Sequence, residues 1–307
     1  EMQETPAAPA GASVVLTIDR EIQRTVEEIL DNAVKQNGAT GGTIIVMNPN
    51  NGEIMAMASN PRLDPNAYWE NTTVFPAGVP YNKAVNQVYE PGSIFKILTM
   101  AAALDAGVVT PETPFNDTGQ IEVGGWTIYN WDRGAWGNQN MIGCMQHSLN
   151  VCLSWIATQL GPTQFYDYLE RFGIGHRTNI DLAGEEVYPL SVPGDPMWYT
   201  VNLATNSFGQ GVAVTPVQFL MAASAIANEG QMVAPHVLKS YIQDGQQYDT
   251  TPQIVGKPIT AETAKTLTDM LTISLEEEAS DALVEGYRVA GKTGTAEIAV
   301  NGQYSSN

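Results

Sequence analysis

The chain has 307 residues, 43% of them hydrophobic, and a formal net charge of −19. That length and apolar content supply a globular core, and a pI near 4.3 argues against nucleic acid or anionic lipid surfaces as partners. No uninterrupted apolar run reaches the roughly eighteen residues of a membrane span, and the three histidines, His147, His176 and His236, have no metal-ligand spacing.

Residues 1–13, rich in Pro, Ala and Glu, read as a linker. A chain opening on Glu1 without a signal peptide is expected to be a fragment of a longer product. Asp19 caps a helix to about Gln36, with Ile22, Val26, Ile29, Leu30 and Ala33 on one face. Thr43–Met47 and Glu53–Ala58 alternate as strands around the turn Pro49-Asn50-Asn51-Gly52. Residues 60–86 read as loop.

Then comes Tyr89-Glu90-Pro91-Gly92-Ser93-Ile94-Phe95-Lys96. Ile94, Ile97, Leu98, Ala101 and Leu104 recur at helical spacing, which puts Ser93 in a first turn and Lys96 on the same face. A serine hydroxyl is a weak nucleophile, and an amine one turn away can take its proton. The helix N-terminus adds N–H groups for a developing anion. Chance supplies about 0.3 Ser-x-x-Lys pairs in this composition, so the motif is weak alone.

Residues 116–140 are polar and Trp-rich; their aromatics either wall a substrate groove or pack internally. Met141–Leu160 is strongly apolar and reads as buried helix, with Ser148 and Asn150 facing a cavity. On one continuous helix Cys144 and Cys152 would stand about 12 Å apart, too far to bridge, and read as buried free thiols. His147 beside Ser148 reads as structural. Gln164–Phe172 is a short helix and residues 179–196 are loop-like. Thr215 and Pro216 start a helix that Gly230 ends, Thr260–Glu278 is another, and Gly286–Glu297 reads as a strand carrying Lys292-Thr293-Gly294-Thr295. Chance supplies about 0.06 Lys-Thr-Gly matches. Strands at both ends with helices between give an α+β class.

Ser93-x-x-Lys96, Ser148-Leu149-Asn150 and Lys292-Thr293-Gly294, in this order, resemble the active-site set of the penicillin-recognising serine enzymes. The intervals of 55 residues from Ser93 to Ser148 and 144 from Ser148 to Lys292 resemble those of class B penicillin-binding-protein transpeptidase domains. Leu16-Thr17-Ile18-Asp19, Asn48-Pro49, Phe172-Gly173-Ile174-Gly175 and Phe208-Gly209-Gln210-Gly211 are similar too. The likeness covers about Val14 to Glu297, with a lean toward the division or sporulation type over the elongation type.

The resemblance implies a five-stranded antiparallel sheet flanked by helices, with a helical subdomain and the site between them. It assigns residues 14–307 to one transpeptidase domain lacking its last two strands and closing helix, so that the Lys292 strand would want a neighbour. It implies acyl transfer from stem peptides ending in D-Ala-D-Ala, with acylation by β-lactams and no metal or organic cofactor. Ser93 is then the nucleophile and Lys96 its base, with a pKa lowered by burial and by Lys292. Ser148 relays a proton, and Asn150 binds substrate and orients Lys96. Lys292, Thr293, Gly294 and Thr295 hold the terminal carboxylate, and the N–H groups of Ser93 and Thr295 form the oxyanion hole. The place implied is the outer face of a bacterial cytoplasmic membrane, beside other wall-synthesis membrane proteins. A β-lactam sensor, a β-lactamase or a non-catalytic scaffold are the alternatives.

Overall fold

In the computed structural model, residues 11–70, 82–296, 298–300 and 303–305 are described; the first ten residues of the expected linker and part of the 60–86 loop lie outside them. Strand β1 (Ser13–Leu16) leads into helix α1 (Arg20–Asn37). Asp19 caps that helix, its Oδ1 accepting from the N–H groups of Glu21 and Ile22. Val26 and Leu30 of α1 pack on Ala56 and Ala58 of the hairpin β2 (Gly42–Met47) and β3 (Ile54–Asn60), which forms where the alternation placed it.

A short helix α2 (Lys83–Asn86) and the 3₁₀ turn Gly92–Phe95 precede α3 (Lys96–Asp105), which is buried from Lys96 to Ala103. Beyond it, β4 (Phe115–Asp117) pairs with β7 (Gly137–Gln139), and β5 (Gln120–Val123) with β6 (Trp126–Tyr129), so the Trp-rich stretch is built of small antiparallel ladders. Helices α4 (Met141–Gln146), α5 (Asn150–Arg171), α6 (Thr200–Ser207), α7 (Pro216–Ala227) and α8 (Ala261–Glu278) follow; α5, α7 and α8 pack on α3, α4 packs on α8 and α6 on α5. Phe95, Leu98, Leu153, Phe165, Met221 and Leu267 belong to their common core. Helix α5 breaks at Gly161 (φ 74°) before Pro162, and its second rod, ending at Arg171 with Phe172 as its cap, is the helix expected over Gln164–Phe172. Thr215 Oγ1 caps α7 and Thr260 Oγ1 caps α8.

Strands β8 (Met232–Val233), β9 (Leu238–Gln243), β10 (Gln246–Asp249) and β11 (Ile254–Gly256) follow α7; β9 lies between β1 and β10 in a three-stranded sheet, and β8 pairs with β11. The α+β architecture stands, with antiparallel strands and a helical core.

Two expectations fail. Cys144 and Cys152 form a disulfide, with Cα atoms 6.0 Å apart. They do not share a helix: α4 ends, the chain turns through Ser148 (φ 53°), and α5 starts afresh at Asn150. The second failure is the Lys292 strand. Residues 288–296 carry no regular structure, and the described strands nearby are only the hairpin β12 (Ile298–Val300) and β13 (Gln303–Ser305). A strand exists through its partner's N–H and C=O groups, and no described strand pairs with this segment. The five-stranded sheet is therefore incomplete among the described residues, although its β2–β3 hairpin is in place. Among the described residues no helix is long and apolar enough to cross a membrane.

Candidate active site

The Ser93 turn is held from one side by residues 209–214. Tyr89 and Val214 exchange two backbone hydrogen bonds of 3.0 Å, Gly92 N–H donates to Gly209 C=O at 3.0 Å, and Glu90 Oε1 accepts from Gly211 N–H. Gly92 is left-handed (φ 57°), and a Cβ there would collide with the carbonyl of Thr295. The turn therefore needs glycine both for its conformation and for the approach of the lysine-motif segment.

Lys96 is fully buried. Its Nζ donates to Ser148 C=O at 2.6 Å, to Ser148 Oγ at 3.0 Å and to Asn150 Oδ1 at 2.7 Å. Burial pushes its pKa well below the ordinary lysine value, and the charge of Lys292 pushes the same way. Two of its partners, the carbonyl and the amide oxygen, can only accept. A neutral amine satisfies both with its two N–H bonds and keeps a lone pair for a hydroxyl. Ser93 Oγ, one turn away, is not among its hydrogen-bond partners here.

Ser148 and Asn150 reach Lys96 because of the break between α4 and α5. The left-handed turn at Ser148 brings its carbonyl and hydroxyl to the amine, and Asn150 Nδ2 donates to Tyr129 C=O at 3.2 Å, which fixes its oxygen toward Lys96.

The lysine motif lies across the same turn. A Cβ on Gly294 would stand 2.6 Å from Ile94 Cγ2, so the segment is in contact with the residue after Ser93. Lys292 donates to its neighbour, reaching Thr293 C=O at 3.1 Å and Thr293 Oγ1 at 3.3 Å. Burial lowers its pKa, opposed by the charge of Glu278.

Ser93, Ser148, Asn150, Thr293, Gly294 and Thr295 thus line one groove of about 920 Å³. Trp126, Tyr129, Trp131 and Trp136 line it as well, which decides their role in favour of the groove. His147 lines the same groove, stacked on Trp136 with ring centroids 3.9 Å apart. No cluster of three metal-ligating side chains occurs among the described residues.

The family profile described as "Penicillin binding protein transpeptidase domain" matches residues 42–307. The chain belongs to this family. It is the transpeptidase domain of a class B penicillin-binding protein, similar to stage V sporulation protein D of Bacillus subtilis (37% identity, over 97% of this chain and 46% of that protein). It is also similar to penicillin-binding protein PbpB of Mycolicibacterium smegmatis (33%, over 94% and 45%). The chain spans about half the length of the curated relatives it matches. Penicillin-binding protein 3 of Mycobacterium tuberculosis, solved in complex with aztreonam, superposes with a TM-score of 0.88 at 30% identity, over 97% of this chain and 68% of that one.

In this transpeptidase domain, sequence reasoning missed the groove-lining Thr205, Phe208 and Gln210, of which the last two sit in a phrase it had quoted only for resemblance. Helix α6, which carries Thr205, has no side-chain N-cap; only Asn202 Oδ1, accepting from Tyr199 N–H at 2.6 Å, marks its start.

Proposed function

We propose that the chain is the catalytic domain of a peptidoglycan D,D-transpeptidase working through a serine acyl-enzyme and acylated by β-lactams. The observation that carries this is the buried Lys96 amine, bonded to Ser148 and Asn150 one turn from Ser93. Ser93 Oγ attacks the carbonyl of the penultimate D-alanine of a stem peptide while Lys96 takes the hydroxyl proton. The N–H groups of Ser93 and Thr295 hold the oxyanion. Ser148 passes a proton from Lys96 to the departing D-alanine amine, and the peptide C–N bond breaks. The amine of a second stem peptide then attacks the ester, loses its proton by the reverse route and releases Ser93. Asn150 binds the substrate backbone, and Lys292, Thr293, Gly294 and Thr295 receive the terminal carboxylate once substrate draws Lys292 from Thr293.

The protein acts, on this reading, at the outer face of a bacterial cytoplasmic membrane beside other wall-synthesis proteins. The disulfide fits such an oxidising compartment. The test supplies the intact protein with a pentapeptide donor and an amine acceptor. D-alanine release with a cross-linked product is expected, and penicillin turnover instead would indicate a β-lactamase. A scaffold would do neither.

A further inference from the structure

One buried polar cluster lies outside the three motifs. Asp117, at the end of β4, and Asn130, just after β6, are 2% and 1% exposed. Asp117 Oδ2 accepts from Asn130 Nδ2 at 2.7 Å and from Trp136 N–H at 2.9 Å, and its Oδ1 from Gly119 N–H at 3.4 Å. Asn130 spends its second amide hydrogen on Gly134 C=O at 3.1 Å, and its Oδ1 accepts from Val151 N–H at 3.2 Å. The amide is thereby fixed in one orientation, every donor and acceptor engaged.

Val151 N–H is a first-turn donor of α5, the helix that begins with Asn150. Leu149 occupies the cap position and has no side-chain oxygen, so α5 lacks a local cap. Asn130 supplies it from another element. The neighbouring Tyr129 carbonyl holds the Asn150 amide itself. The Asn150 side chain and the Val151 N–H that follows it are thus tied to Tyr129 and Asn130, and Asn130 is anchored by Asp117.

We propose that Asn130, held by the buried carboxylate of Asp117, is a positioning residue that sets Asn150 and Ser148 against Lys96. The proposal rests on the function given above. Without Asn130 the first turn of α5 loses its cap, and a displacement of about 1 Å at a catalytic group can cost on the order of a hundredfold in rate.

The test uses fluorescent penicillin and the intact protein, separating the acylation rate constant at saturation from the apparent affinity, at a temperature where thermal melts show each variant folded. Asn130→Ala is expected to lose about thirtyfold or more in the rate constant, with affinity within about threefold. A merely structural role would lower the melting temperature and leave the folded protein acylating at the parental rate; a constant within threefold of the parent overturns the proposal. If Asn130→Ala does not fold, Asn130→Asp carries the test, since it sets two carboxylates in contact. Adding Asp117→Asn removes that repulsion while an oxygen at position 130 still accepts from Val151 N–H, the donor to Gly134 C=O being lost, and should recover at least threefold in rate. No recovery overturns the proposal. A parent protein that penicillin does not label removes the functional reading and this inference together, whereas a labelled parent with an equal variant removes only this one.

Discussion

The two halves of the groove are held in different ways. On one side, Lys96, Ser148 and Asn150 sit where α3, α4 and α5 meet the main core, tied by three hydrogen bonds of 2.6–3.0 Å and flanked by a disulfide. On the other, Lys292–Thr295 touches the Ser93 turn through Gly294 and the Thr295 carbonyl but belongs to no described ladder, and Lys292 bonds to its own neighbour. The base half is preorganised by packed helices and by side-chain hydrogen bonds, including those to Tyr129 C=O and Asn130 Oδ1. The carboxylate half depends on backbone pairing, which needs a partner strand. A site can therefore hold a poised base before its substrate clamp is set.

The largest effect should come from the poised half. Lys96→Arg keeps the charge and removes the base, so penicillin acylation should fall by about 10²–10⁴-fold. Stopped-flow labelling measures it, and a loss under tenfold would remove Lys96 as the base. Gly294→Ala probes the other half: its Cβ would meet Ile94 Cγ2 at 2.6 Å and push the segment off the Ser93 turn. Acylation should drop by about ten- to a hundredfold while circular dichroism and the melting temperature stay near the parent's, because no core residue is touched.

The pH profile of acylation at low penicillin concentration reads both halves at once. Lys96 must be neutral to accept the proton, and its pKa is lowered, so the rate should rise with pH through that depressed value. Lys292 must be charged to hold a carboxylate, and its pKa is also lowered, so the rate should fall again below the usual lysine range. Lys292→Ala should lower the plateau and abolish the falling limb; a falling limb that survives would belong to another group.

The smallest effect on rate should come from the disulfide. Cys144→Ala with Cys152→Ala opens an eight-residue link, worth about 2–3 kcal/mol by loop entropy, or a loss of about 3–5 °C in melting temperature for a chain of this length. Leu149 N–H still donates to Cys144 C=O at 3.0 Å and keeps the turn, so acylation should change less than about tenfold, below 1.4 kcal/mol of barrier.

What was legible in the sequence followed from local rules. Asp19 and Thr215 announce their helices by capping, the β2–β3 hairpin by its turn, and the Ser93–Lys96 relation by a single helical step. The depressed pKa of Lys96 was legible too, since an apolar helix face buries whatever it carries. The break at Ser148 was only half legible: Ser148-Leu149-Asn150 can be read as a polar break between two apolar helical runs, but nothing in Gln146-His147-Ser148-Leu149 forbids a continuous helix; the left-handed serine meets Lys96 through a tertiary contact. With the break went the cysteine pairing. Asp117 and Asn130 have no motif and acquire meaning only when β4 and β6 bring them together. The strand reading at Lys292 failed for the opposite reason: its pattern is strand-like, but pairing is not a property of one segment.

The central claim is that Ser93 is the nucleophile of this groove. Intact protein labelled with penicillin, digested with trypsin and sequenced by mass spectrometry tests it most directly. The adduct should sit on Ser93 in the peptide ending at Lys96, and should be absent from Ser93→Ala. An adduct on Ser148, or on any other residue, would contradict the account.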